Sequence, residues 1–204
     1  LPAMVLPGMT LVVSPLLSLM KDQLDFLLAN KIPAARLDST LAKNEYNAIL
    51  ENAKNGKLKI LMIAVERFKN ERFRSHLEKM NVSLLVVDEA HCISEWGHNF
   101  RPDYLKLAAL AKTFAVPAVL GLTATATPKV AMDIRQSFAV AEADSIQTGF
   151  YRPNLTLLFE PADEPEKALV RHLAEKKQEG STGPSIVYVT LQQTAMTVAG
   201  LLAQ

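Results

Sequence analysis

The chain has almost no means of covalent or metal cross-linking. One cysteine, Cys92, stands among 204 residues, which excludes an intramolecular disulfide. Nothing around Cys92 marks it as a nucleophile or a zinc ligand, and His76, His98 and His172 show no metal-ligand spacing. Charge of one sign is missing too. With 22 Lys and Arg against 21 Asp and Glu, the formal net charge is +1. No global field therefore draws the chain to nucleic acid, and such a partner has to be argued from a local surface. No run reaches the roughly 18 apolar residues of a membrane span, and no secretory leader pattern is present. An intracellular location (cytoplasmic, or nuclear in a eukaryote) without a membrane partner is the expectation.

What is present is apolar mass. Hydrophobic residues make up 49% of the chain and the mean hydropathy is +0.11. The length suits one domain, or one domain and part of another. The chain opens Leu1-Pro2-Ala3-Met4 and ends at Leu201-Leu202-Ala203-Gln204 inside an apolar helical pattern, as expected of a piece of a longer polypeptide. I-V-L-rich runs recur with helical patterns between them. Thr10 to Ser14, Leu58 to Ala64, Leu84 to Asp88 and Ala118 to Thr123 read as strands. Leu17, Met20, Leu24, Leu27 and Leu28 follow the first at helical spacing. Thr127-Pro128 is a helix start, threonine capping and proline in the first turn, with Val130, Ile134 and Phe138 repeating every four residues. Strands alternating with helices predict an α/β fold with a mostly parallel sheet. Beyond a boundary near residue 150, Leu155 to Phe159 and Ser185 to Val189 suggest further strands. Glu164 to Lys177 and Gln192 to Leu202 suggest helices, around a Gly180 to Pro184 loop.

Leu84-Leu85-Val86-Val87-Asp88-Glu89-Ala90-His91 carries the most chemistry. A wholly apolar strand delivers two carboxylates and an imidazole at the carboxyl edge of a sheet, where open α/β folds bind ligands. The bland alternative is a solvated acidic pair at the start of a helix.

Three segments, in order and spacing, resemble the signature motifs of the RecQ family of superfamily 2 DNA helicases. They are T-L-V-V-S-P-L-L-S-L-M-K-D-Q from Thr10, D-E-A-H-C-I-S-E-W-G-H-N-F-R-P-D-Y from Asp88 and G-L-T-A-T-A-T-P from Gly121. The resemblance implies a RecA-like (P-loop NTPase type) sheet flanked by helices. Residues 1–149 would form most of a first lobe, 150–154 a linker and 155–204 the start of a second lobe. It implies ATP and Mg2+ as cofactors and DNA, single-stranded and at duplex junctions, as partner, with 3′ to 5′ movement in repair or recombination. Asp88 would bind Mg2+, Glu89 would position or deprotonate the attacking water, and His91 would couple the nucleotide site to the neighbouring lobe. Trp96 and Phe100 would stack on bases and Arg101 would meet a phosphate or a base, a sequence-tolerant grip; simple packing of the loop is the alternative. Ser14, Pro15 and Lys21 would touch the DNA backbone, and Thr123 and Thr125 would relay nucleotide state, or merely bond their own turn.

The chain departs from the family at three places: Glu95 stands where glutamine is usual, Asn99 where aspartate is usual, and Val65 where the A-P-E-R motif has proline. No G-x-x-x-x-G-K-[ST] occurs in the 204 residues, so the cradle and lysine that the resemblance leads one to expect for the β- and γ-phosphates are absent from them. The segment alone is therefore expected neither to hydrolyse ATP well nor to unwind DNA. A non-catalytic DNA-binding module is the alternative from another class. An RNA helicase is a further one, disfavoured by Trp96 to Pro102 and by Thr123.

Overall fold

Short, continuously apolar segments cannot sit on a surface, and here they form the middle of a parallel sheet. The computed structural model describes every residue except His98, Phe150, Tyr151, Ser181, Thr182 and Gln204. The described residues divide into two compact units, Leu1–Gln147 and Thr148–Gln204. Phe150 and Tyr151 of the expected linker lie outside the described residues.

The first unit holds β1 (Met9–Val13), α1 (Leu17–Ala29), β2 (Ala34–Leu37), α2 (Lys43–Lys54), β3 (Ile60–Ile63), α3 (Glu71–Leu77), β4 (Val82–Val87), α4 (Leu105–Thr113), β5 (Val119–Gly121) and α5 (Pro128–Phe138). The five strands run parallel in the order β2-β3-β1-β4-β5. This is the α/β sheet of the RecA-like class expected from the sequence. β1 is central, with Val13 opposite Ile63 on one side and Val87 on the other.

Alternate residues along each strand feed two separate apolar layers. Leu11, Val13, Leu61, Ile63, Leu85 and Val87 pack with Phe68, Phe73, Tyr104 and Leu107 in the main core. Phe68 and Phe73 meet edge to face at 5.9 Å. The opposite face is thinner: Ala3, Met20, Leu27, Ala34, Ile60 and Met62 form a small cluster. Beside it an open groove of about 580 Å³ is lined by apolar sheet residues, Val12, Leu84, Val86 and Leu120 among them.

Four described non-glycine residues have positive φ. Lys31, Ala115 and Ala139 end helices, where a left-handed residue closes the last turn. The fourth, Glu89 (φ 48°, ψ 47°), ends no helix.

β2 was not anticipated. Ala34-Ala35-Arg36-Leu37 lacks β-branched residues, and it forms a strand because β3 offers a ladder at the sheet's edge. Asp38, just beyond it, is buried. Its carboxylate accepts from the Thr40 amide at 2.8 Å and the Thr40 hydroxyl at 2.5 Å, and pairs with the Arg36 guanidinium at 3.0 Å. Burial by itself raises the pKa, and the Thr40 bonds and the Arg36 charge outweigh it and hold the carboxyl below its ordinary value. A depressed pKa stabilises the folded state above the ordinary carboxyl pKa, and that contribution fades as pH falls through the folded value. Asp38→Asn is expected to cost about 1–3 kcal/mol at pH 7. The gap between variant and parent melting curves should close as pH drops below about 4. A gap that stays constant down to pH 2.5 contradicts this.

The second unit contains α6 (Pro165–Gln178) and α7 (Gln192–Leu202), both near their expected positions. The expected strands at Leu155 to Phe159 and Ser185 to Val189 do not form. A strand needs a neighbour to satisfy its backbone, and neither segment pairs with one. Their side chains stay in water, Phe159 at 92% and Tyr188 at 89% exposure.

Candidate functional site

Backbone bonds continue past the ends of the central strands and bring three polar segments to one edge. The Asp88 amide donates to Val13 carbonyl, the Ser14 amide to Ile63 carbonyl, and the Ala90 amide to Leu122 carbonyl. Ser14, Asp88 to His91, and Thr123 therefore share the carboxyl edge of the sheet.

The side chains there are joined. Ser14 Oγ donates to Asp88 Oδ2 at 2.8 Å, and Asp88 Oδ1 accepts the Glu89 amide at 3.0 Å. His91 Nδ1 lies 2.9 Å from Thr123 Oγ1 and 3.2 Å from Glu89 Oε2. Thr123 Oγ1 also accepts the Thr125 amide at 3.3 Å. His91 is buried, while Glu89 keeps 31% of its side chain exposed.

The left-handed backbone of Glu89 lets this happen. β4 ends at Val87, and the chain must turn at once into the short 3-10 turn Ala90–Ile93. Glu89 occupies the position preceding that turn without capping it by a side-chain bond. A non-glycine residue there costs about 1 kcal/mol. Strain of this kind concentrates where side-chain direction matters.

Ser14 is fully buried and its hydroxyl is spent on Asp88, so the structure groups it with the acids rather than on an open surface. Pro15 follows it half-buried, and Lys21 stands exposed on α1. Among the described residues no hydrogen bond or ion pair joins either to the acidic edge. The two carboxylates fit the donor set Mg2+ takes, one or two protein carboxylates completed by nucleotide phosphates and water. Among the described residues there is no group of three or more His, Cys, Asp or Glu that would form an all-protein metal cage.

Residues 94–104 leave this edge as a tethered loop. Ser94 Oγ donates to Asp133 Oδ2 at 2.5 Å and accepts the Trp96 amide at 3.2 Å. Gly97 passes so close to the His91 carbonyl oxygen that a Cβ would meet it at 2.4 Å. The Arg101 amide returns to Cys92 carbonyl. Trp96 is 67% exposed, with the Lys129 ammonium 3.2 Å from its ring centroid. Phe100 and Arg101 are half-buried. His98, within the loop, lies outside the described residues. Cys92 is buried, and burial pushes its thiol pKa up despite Arg101, which keeps it protonated and inert.

Tyr104 was named only as the end of a motif, yet it anchors the site. It is completely buried, and its hydroxyl donates to the Asp88 carbonyl at 3.3 Å. Burial raises its pKa far above the ordinary phenol value. Pro102, which starts the 3-10 turn delivering it, was the available signal. Lys129 and Asp133 carried no signal: they read as ordinary charged positions of α5.

The sequence model of the DEAD/DEAH box helicases matches residues 3–134. A probable ATP-dependent DNA helicase RecS from Bacillus subtilis is 40% identical over 203 residues, covering 98% of this chain and 40% of that protein. The ATP-dependent DNA helicase RecQ of the same organism is 36% identical, with 96% and 32% covered. The ATP-dependent DNA helicase Q-like 2 of Arabidopsis thaliana is 38% identical, with 100% and 30% covered. The chain thus spans two-fifths or less of these curated relatives. Among solved structures, the Pyrococcus furiosus Hef helicase domain aligns with 65% of this chain and 27% of its own, at 22% identity and a TM-score of 0.46.

Proposed function

This chain belongs to the DEAD/DEAH box helicase family, with RecQ-type DNA helicases among its relatives, and on that premise we propose that it supplies the acidic half of an ATP-driven DNA motor. The observation that carries the reading is the bonded set Ser14–Asp88 and Glu89–His91–Thr123 at one sheet edge.

Asp88 would hold Mg2+, directly or through water, with Ser14 fixing the carboxylate by occupying one lone pair of Oδ2. When bound, Mg2+ neutralises charge building on the phosphates. Glu89 faces the same edge, is partly open to water and is aimed by its backbone. It would orient the attacking water and accept its proton. His91 ties that acid to Thr123, so a change at Glu89 reaches the segment leading into α5. Trp96, Phe100 and Arg101 offer stacking planes and a cation to single-stranded DNA. Pro15 and Lys21 would meet the backbone of the strand. By its relatives' printed activities the partner is DNA, and 3′ to 5′ movement in repair or recombination, inside the cell, follows from the family resemblance. The 204 residues alone are expected to show no ATP turnover.

The test is ATP hydrolysis by the full-length protein with single-stranded DNA, with RNA of the same length and without nucleic acid. Strong stimulation by DNA and little by RNA is expected. Equal stimulation by RNA would move the assignment to an RNA helicase. Binding of DNA without any hydrolysis would leave a non-catalytic DNA-binding module.

A further inference from the structure

Trp96 is the one tryptophan of the chain, and one face of its indole is taken. Lys129, the second residue of α5, sets its ammonium 3.2 Å above the ring centroid. One turn further along the same helix, Asp133 accepts the Ser94 hydroxyl at 2.5 Å, at the root of the same loop. Two residues of one helix thus hold two points of one loop. α5 also packs on the 3-10 turn Ala90–Ile93, with Ile134 Cγ2 and Ala90 Cβ both beside Gly121.

We propose that α5 latches the 94–104 loop, with Lys129 covering the Trp96 face that a nucleobase must occupy and Asp133 holding the loop's root through Ser94. The proposal rests on the reading of Trp96 as a base-stacking residue.

Three physical points support a latch over plain packing. Trp96 remains 67% exposed, so burial does not hold the ring in place, and the Lys129 cation sits over its face. Lys129 is a cation in the first turn of a helix, where the macrodipole disfavours positive charge. That makes it easy to release to a phosphate arriving with the base. The helix starts at Pro128, a short segment after Thr123, which bonds His91 beside Glu89. α5 is therefore connected to the nucleotide edge at one end and to the DNA loop along its first two turns. Loop release and acid placement then share one rigid element.

The experiment uses Trp96 fluorescence in the full-length protein, with any tryptophan outside these residues replaced by phenylalanine, and oligothymidine as the DNA probe. Lys129→Ala is expected to make Trp96 more accessible to acrylamide in the absence of DNA. It should also tighten oligothymidine binding by about 2- to 5-fold, the range for removing a competing exposed cation–π contact. The direction is diagnostic, because losing a cation that merely meets phosphates weakens binding. Lys129→Arg, which keeps a cation over the ring, should restore parent values. Asp133→Ala should raise acrylamide access without touching the ring contact. Unchanged access in Lys129→Ala, or weaker DNA binding, overturns the latch. If access rises but oligothymidine never perturbs Trp96 emission in any variant, the base-stacking reading fails and the competition with it. Melting curves of the variants, all altered on the helix surface, check that the fold is kept.

Discussion

Glu89→Gln in the full-length protein is expected to leave nucleotide and single-stranded DNA binding close to the parent and to cut DNA-stimulated ATP hydrolysis by about 10²- to 10⁴-fold, the usual contribution of a positioned proton-transfer group. The substitution keeps the shape of the side chain. It keeps a hydrogen-bonding group 3.2 Å from His91 Nδ1 and does not disturb Ser14–Asp88. What it removes is the basic oxygen. Binding and hydrolysis should therefore separate cleanly, with nucleotide affinity carried by Asp88 and by phosphate contacts elsewhere. Glu89→Asp provides the contrast. It retains a base but withdraws it by one methylene from a backbone already fixed at φ 48°, and it should be slow without being dead. Hydrolysis near the parent rate in Glu89→Gln would remove Glu89 from the chemistry and return it to a structural role beside His91.

Tyr104→Ala should be the most damaging single change to the fold near the site. The ring is completely buried in the main core, and emptying such a site costs about 3–5 kcal/mol. For a unit of this size that lowers the melting temperature by roughly 10 °C or more. The hydroxyl bonds the Asp88 carbonyl, so the acid-bearing turn loosens along with the core. Tyr104→Phe separates the two effects: it keeps the packing and loses one hydrogen bond, about 0.5–1.5 kcal/mol. A Tyr104→Ala protein that melts with the parent would mean the cavity collapses without penalty and that Tyr104 anchors nothing.

The central strands were legible because their residues say only one thing. Met9 to Val13, Ile60 to Ile63 and Val82 to Val87 are too apolar for a surface and too short for helices. Thr127 was legible as a cap because its hydroxyl does cap, accepting the Val130 amide at 3.4 Å. The acids at the sheet edge followed from the strand before them. The failures have physical causes as well. β2 is a strand by virtue of β3, a tertiary fact that Ala34 to Leu37 do not encode. Leu155 to Phe159 and Ser185 to Val189 have strand composition and no partner, so composition misleads there. Ser14's bond to Asp88 joins residues 74 apart and had no local signal. Glu89's left-handed backbone, Tyr104's anchoring bond and the two contacts of α5 depend on atoms far apart in sequence. No local pattern announces them.

The strand order has a consequence for time. β1 lies between β3 and β4, and both of these neighbours are synthesised after it. Ser14 waits 74 residues for Asp88, roughly 4–15 s at about 5–20 residues per second on a ribosome. During that interval the edges that β3 and β4 will cover are open to pairing with other strands. Non-local parallel pairing is also intrinsically slow. The acidic edge cannot be assembled early by accident, because its two halves meet only when the sheet closes. The Ser14–Asp88 bond is therefore, by construction of the topology, a mark of a sheet that has closed.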